Sequence, residues 1–528
     1  MSIIEYHISG EVKKTIVQEN DKFEHDKFEL ISTKMVKPEK SGRFGQRESS
    51  TIQCVYMHTA GPRLKVESPW NLLNKIGDFS SLSDRKAVAR LDLIQSPASK
   101  NKLGKFAIQS FPDSLVEDIP EMGHEGCGFI CEDLLSDLMR NHSNSARVCC
   151  IQVRLFIPRK GVYKGMLMKK KMGTGAKIQL PDSMRKVPAS IDIDASEIGT
   201  LVICQAGVDP SKNNVLMARL PSINPSADPP PASFEPDKLK DMILRLFEVL
   251  SVPKRECEKY RDRSIRKSSP KKSTRDSGEG KKIEKTSPLP AICHCYLRGV
   301  ADPTMMIPPN TVYITGISNA PNFPEIVFIT RSPCIKADDG RRIKVLRKKP
   351  KSITKEAYEW LNKMPFGIVI FGFPKPGCKP APVLIANGDL DGDRYFCCWD
   401  KTILEHTDAA LVGNISIPRA TAVNIQRQED AEVRGLDADR FREVQDAMIS
   451  VTRDLRSCDK LTKLFWTLSG KAADNDRVKF LRNEDAESFA DAFNLSLDYA
   501  KHGKKIELPF HLFKDVPTEL HKCLARKN

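Results

Sequence analysis

The chain reads as an α+β protein in which two small β-barrels precede a helical C-terminal part. Short β-branched runs broken by turn residues crowd between Gly123 and Ile203, and a second such array fills Thr311 to Trp399. Beyond Asp437 the apolar spacing changes to steps of three and four, the period of a helix.

In the first array the strand candidates are Val148 to Phe156, Tyr163 to Met168, Ile178 to Leu180 and Leu201 to Cys204. Many short strands with turn signals between them favour a closed barrel over an open sheet. Pro221 to Pro236, with the run Pro229-Pro230-Pro231, reads as a stiff polyproline spacer. Leu239 to Leu250 has helical spacing. From Arg261 to Ser287 ten Lys and Arg face four Asp and Glu among many serines, with almost nothing apolar, which is the composition of a disordered linker. The second array comprises Thr311 to Thr315, Glu325 to Thr330, Arg342 to Leu346, Gly367 to Phe373 and two strands around an acidic turn, Val383 to Ala386 and Tyr395 to Trp399. Phe441, Val444, Met448, Val451 and Leu455 line one amphipathic helix; Phe489, Phe493, Leu497 and Ala500 line another, with Asn483 as its N-cap and Gly503 as its stop. Met1 to Ser68 offers no element that can be placed.

At 528 residues the chain exceeds one compact core. Its formal charge of +16 and pI near 9.1 favour a polyanionic partner, since neutralising phosphates releases their counterions. Fifteen cysteines, odd in number and never in a C-x-x-C pair, favour neither a disulfide framework nor a zinc ribbon. Cys293-His294-Cys295 and the pair Cys127 and Cys131 read as buried thiols. No apolar stretch approaches the roughly 18 residues of a membrane span, and Met1 to Lys14 lacks the apolar core of a signal peptide. A soluble, intracellular protein is expected.

Asp389-Leu390-Asp391-Gly392-Asp393 places three carboxylates in five residues. Anionic groups this close repel unless cations hold them, and hard divalent ions take such oxygens together with substrate phosphates. On a strand, alternate residues share a face, and Gly392 lets the backbone turn so that all three converge. Phosphoryl transfer is the chemistry this suits. An EF-hand loop fits poorly, because the sixth position is Arg394 and the glycine is fourth. A dehalogenase-type phosphatase shares the first four letters of the motif but has threonine where Asp393 stands. A solvated acidic turn is the bland alternative.

The run Ala386 to Phe396 resembles the catalytic loop of the eukaryotic cellular RNA-dependent RNA polymerases of the silencing pathway, and also the related loop of DNA-directed RNA polymerases. Other segments resemble the silencing enzymes and follow their order. These are Gly77-Asp78-Phe79-Ser80 with Ala89-Arg90-Leu91, Gly126 to Ile130, Ile151-Gln152-Val153-Arg154, Tyr163-Lys164-Gly165, Arg298 to Thr304, Thr330 to Cys334, and Leu497 to Gly503.

The resemblance implies two double-psi β-barrels forming a cleft, with helical connecting and C-terminal segments. The corresponding division is 1–110 an N-terminal remnant and opening segment, 111–235 the first barrel, 236–260 a short helical bridge, 261–288 the basic linker, 289–415 the second barrel with the catalytic loop, and 416–528 a helical region. It further implies that Asp389, Asp391 and Asp393 hold catalytic Mg²⁺, or Mn²⁺ in its place. Lys164, Arg154, Arg331, Lys375 and Lys501 are the expected phosphate or RNA contacts. The partners implied are a single-stranded RNA template, ribonucleoside triphosphates and silencing-pathway proteins, in the nucleus or cytoplasm. The bridge is much shorter than the family's, and Lys336 to Gly340 and Pro374-Lys375-Pro376-Gly377 replace its H-P-G-D and P-Q-K-G. Those departures keep open a second reading, a degenerate relative that binds RNA without polymerising it. The phosphatase stands third.

Overall fold

A computed structural model describes residues 3–8, 27–36, 51–61, 64–65, 69–95, 108–140, 148–189, 198–206, 241–256, 294–416, 438–454 and 491, apart from 124–125, 158, 174, 254, 322 and 335. The 261–288 linker, Lys501 and nearly all of the expected helix around Phe489 to Ala500 lie outside the described residues. Among the described residues no helix is long and apolar enough to cross a membrane.

The N-terminal stretch, which sequence left blank, forms an antiparallel sheet. Its strands are β1 (Ile3–Ile8), β2 (Lys27–Val36), β3 (Thr51–Gly61) and β4 (Leu64–Lys65), with β3 in the middle. Two helices follow, α1 (Pro69–Ile76) and α2 (Asp84–Gln95). Phe79, Ala87, Val88 and Leu91 bury themselves here against Phe441, Val444 and Met448 of the helix Ala438–Asp454. The three-and-four spacing of that helix thus serves to clamp α2 from the far end of the chain.

The first β array contains β5 (Ile108–Pro112), β6 (Val116–Ile119), β7 (Cys127–Cys131), the helix α3 (Glu132–Met139), β8 (Cys150–Ile157), β9 (Gly161–Lys170), β10 (Ile178–Pro181), β11 (Arg185–Val187) and β12 (Ile198–Ala206). Its hydrogen-bonded path is β5-β12-β8-β9-β7-β10-β6, with β11 on β9. A closed barrel was expected; among the described residues the path instead ends at β5 and β6, which the single turn Asp113–Leu115 joins along the chain. Near-continuous burial of β7, β8 and β9 explains why their sequences run apolar instead of alternating.

After the helix Asp241–Val249, the second array closes fully. Strands β13 (His294–Ala301), β14 (Thr311–Ile314), β15 (Ile326–Arg331), β16 (Gly340–Val345), β17 (Ile368–Phe371) and β18 (Arg394–Cys398) form the barrel β13-β17-β14-β16-β15-β18, with the helix Lys355–Asn362 between β16 and β17. Pairing senses recur between the two arrays. From β12 through β8, β9, β7 and β10 to β6 they run antiparallel, antiparallel, parallel, antiparallel, parallel. From β15 through β18, β13, β17 and β14 to β16 they repeat in that order. One apolar core spans both units, joining Cys127, Phe129, Cys150, Met166 and Met168 to Leu297, Val300, Ile329 and Tyr395.

One expected strand is absent. Val383 to Ala386 is a string of turns, in which Leu384 N–H donates to the Ala381 carbonyl at 3.1 Å and Ile385 N–H to Pro382 at 3.0 Å. Pro380 and Pro382 have no N–H to give a ladder, so the chain folds back on itself instead.

Candidate active site

The acidic loop leaves the turns of 381–387 through two left-handed residues, Ala386 (φ 50°) and Asn387 (φ 49°), and enters β18 at Arg394. The carboxylates therefore sit on a loop and not on the strand that sequence predicted. They converge all the same: one oxygen from each of Asp389, Asp391 and Asp393 lies within 4.8 Å of the others. Gly392 makes this possible. Its φ of 134° is open to glycine but strained for any L side chain, and a Cβ there would lie 2.1 Å from Gln152 Nε2.

Side chains from both β units fix the loop's carbonyls. Gln152 Nε2 on β8 donates to the Asp391 carbonyl at 3.0 Å. Arg298 Nη1 on β13 donates to Gly392 at 2.9 Å, Tyr395 Oη to Asp389 at 2.7 Å, and Arg331 Nη1 to Ala386 at 3.0 Å. Within the loop, Asp389 N–H donates to Asp393 Oδ2 at 3.1 Å and Asp391 N–H to Asp389 Oδ1 at 3.2 Å.

Charge is arranged unevenly. Lys164 Nζ on β9 lies 2.8 Å from Asp391 Oδ2, a pair whose side chains are 29% and 18% exposed. Arg331, at the end of β15, pairs with Asp393. Burial, followed by the charges of Asp391 and Asp393, pushes the Asp389 carboxyl up to about 7. Asp391 moves the other way. Burial opposes its ionisation, but the Lys164 ammonium, with help from Lys186, holds it below the ordinary carboxylate range. Burial lowers Arg90 on α2 and Lys186 on β11, and the charge of Asp391 pulls both back. Four cationic side chains from three separate parts of the chain thus surround three carboxylates.

Three hard oxygen donors held this close suit a Mg²⁺-like ion, whose charge would relieve the crowding that keeps Asp389 from ionising, so the residues present fit such an ion. Of the other expected contacts, Arg154 is 5% exposed on β8, opposite Lys164, and its Nη1 lies 3.5 Å from the Ile94 carbonyl of α2. Lys375 is exposed in the turn after β17. His294 and Cys295 are buried on β13, and Cys127 and Cys131 on β7 are buried free thiols. Asp302, quoted above only as part of Arg298 to Thr304, is fully buried. It accepts hydrogen bonds from Thr304 N–H, Thr304 Oγ1, Met306 N–H and Ile307 N–H, which shape the loop after β13.

Residues 7–215 and 279–525 match the protein family described as RNA dependent RNA polymerase. The chain belongs to that family. Over 200 residues it is 28% identical to RNA-dependent RNA polymerase 2 of Arabidopsis thaliana, a match covering 38% of this chain and 15% of the relative. The fold is similar to that of the RNA dependent RNA polymerase QDE-1 from Thielavia terrestris, with a TM-score of 0.59 and 14% identity, covering 100% of this chain and 62% of the other. Of neither relative does the chain span two thirds.

Sequence had passed over Gln152, Arg298, Arg90 and Lys186. Gln152 and Arg298 stand inside the family-like segments, yet nothing in their neighbours says that they reach the acidic loop. Gln152 does so across 239 positions of sequence.

Proposed function

We propose that this chain is the catalytic core of an RNA-directed RNA polymerase, copying single-stranded RNA with ribonucleoside triphosphates. The observation that carries this is the convergence of Asp389, Asp391 and Asp393 on one loop, with Lys164 brought against Asp391 from the other β unit. In this reading the two arrays are double-psi barrels facing each other across a cleft, and the repeated order of pairing senses supports it. The division at 110, 235, 260, 288 and 415 goes with it.

Asp389, Asp391 and Asp393 would hold Mg²⁺, or Mn²⁺, which when bound supplies Lewis acidity to the attacking hydroxyl and to the phosphate oxygens. The 3′-hydroxyl gives up its proton to solvent and its oxygen bonds to the α-phosphorus as the bond to pyrophosphate breaks. Lys164 holds an ammonium where negative charge grows on the phosphate, and Arg331 places a second cation beside Asp393. Gln152 and Arg298 keep the loop from drifting by holding its carbonyls, so the carboxylates need no rearrangement during transfer. Lys375 and Lys501 complete the proposed RNA contacts, whereas Arg154, buried with its guanidinium against the Ile94 carbonyl, is better placed to hold α2 than to meet RNA; a role in RNA silencing inside the cell is part of the same proposal.

Purified protein given RNA template, Mg²⁺ and labelled nucleotides should form product, and the Asp391→Ala variant should form none. Equal synthesis by both defeats the assignment. The second reading, RNA binding without turnover, draws on the two carboxylates already paired with protein cations, Asp391 with Lys164 and Asp393 with Arg331. It predicts binding that survives removal of divalent ions and no incorporation on any template. The phosphatase alternative expects the motif near the start of its catalytic domain, whereas here five barrel strands precede it.

A further inference from the structure

From Arg341 to Lys363 the chain carries nine Lys and Arg against two acids, Glu356 and Glu359. This run covers β16, the loop after it and the helix Lys355–Asn362. Several of these cations are consumed within the protein. Arg341 faces Asp338 and the Leu384 carbonyl, Arg342 the carbonyls of Thr407 and Ala409, and Arg347 those of Ala320 and Pro321. Lys355 pairs with Glu359 at 4.0 Å, and Lys349 ties down the Ile353 carbonyl at 3.0 Å. What remains is Lys344, Lys348, Lys351 and Lys363, all exposed and none with a carboxylate partner among the described residues.

These lysines are presented on a stiff support. Lys344 points outward between the buried Ile343 and Val345, on a strand paired to both β14 and β15. The loop carrying Lys348 and Lys351 is stapled by Tyr358 Oη to the Arg347 carbonyl at 2.8 Å and by Ser352 Oγ to the Met306 carbonyl at 3.2 Å. Thr354 caps the helix that ends beside Lys363, accepting from Ala357 N–H at 3.2 Å. A backbone already fixed loses little further conformational freedom when the side chains it carries meet a partner.

Lys344 also stands well away from the carboxylates. Lys344 pairs with Ile326 at the start of β15, whereas Arg331, which grips Asp393, ends that strand. Five strand steps of ~3.3 Å put the two ends about 17 Å apart. We propose that Lys344, Lys348, Lys351 and Lys363, on β16 and on the loop and helix that follow it, form a second binding surface for the phosphodiester backbone of RNA. It holds RNA outside the reaction centre. Because it rests on the reading that this chain handles RNA, its test reads binding alone and not synthesis.

The full chain and its Lys344→Glu/Lys348→Glu/Lys351→Glu variant are titrated with single-stranded and duplex RNA of equal length, without divalent ions, at several salt concentrations. Three lost phosphate contacts should flatten the plot of log affinity against log salt by about 2 for single strands. The Gln triple variant should show most of the same change, and unaltered melting of both variants establishes that they fold. A loss confined to one RNA form identifies the form held there. Unchanged slopes with both forms overturn the proposal, and so does a loss seen only with vesicles of phosphatidylserine. A polymerase reading that fails would show instead, in a separate assay, as absent incorporation by the unaltered chain while the variants' slopes still flatten.

Discussion

Replacing Asp389 by Asn should alter how stability depends on pH, and in a direction opposite to ordinary acid denaturation. In the folded protein this carboxyl is raised from its usual 3.8 to about 7 by burial and by its two acidic neighbours. The native state therefore holds a proton that the unfolded state releases. Its contribution is fully present below 3.8 and is lost as pH rises through 7. At ~1.4 kcal/mol per tenfold change in proton affinity, the loss is at most about 4 kcal/mol. For a domain of roughly 200 residues that corresponds to melting-temperature changes on the order of 10 °C. Scanning calorimetry from pH 4.5 to 8 without divalent ions should show wild type declining relative to Asp389→Asn across this window. Added Mg²⁺ should restore wild type at pH 8 far more than at pH 5, because a cation replaces the proton. Parallel pH profiles for the two proteins, or equal stabilisation of both by Mg²⁺, would refute the reasoning.

Three further outcomes are expected. His294, lowered to about 4 by burial, stays neutral when folded, so stability present above pH 6.5 should fall as pH drops towards 4, by up to ~3 kcal/mol; urea unfolding of His294→Gln should lack that decline. Asp302→Ala leaves four donors without their acceptor and should cost about 3 to 5 kcal/mol in urea unfolding, with a loss under 1 kcal/mol contradicting its place in the loop. Gly392→Ala forces a Cβ onto Gln152 at a strained φ, about 1–3 kcal/mol of local strain. Nucleotide incorporation should fall at least about tenfold while circular dichroism is unchanged, and retained incorporation would contradict the role given to this glycine.

Much of the architecture was legible because it is written locally. Apolar runs of strand length between turn residues marked β8, β9, β10, β12 and most strands of the second barrel, and three-and-four spacing marked the helix at 438–454. The strand assigned to Val383 to Ala386 failed because Pro380 and Pro382 remove ladder donors, a signal present in sequence but outweighed by the apolar run. Closure was expected of both arrays and is seen in the second but not among the described residues of the first, since which strands meet at the edges depends on contacts far apart in the chain. At the site, the acidic triad was visible from its density of charge alone. Its convergence was expected from the pleat of a strand with a turn at Gly392; the turn is there, at a φ of 134°, but on a loop that precedes the strand. Lys164 entered through a family-like segment, while Gln152 and Arg298 became visible only once strands some 240 and 95 residues away were folded against the loop.

The shared interior joining Cys127, Cys150, Met166 and Met168 to the second barrel has a mechanical meaning. Jaws that swung open between the two units would have to part this apolar seam and expose it to water, a cost set by its whole area. Lys164 and the three aspartates are thus bolted to one chassis. Any large movement belongs to parts of the chain mounted outside that chassis.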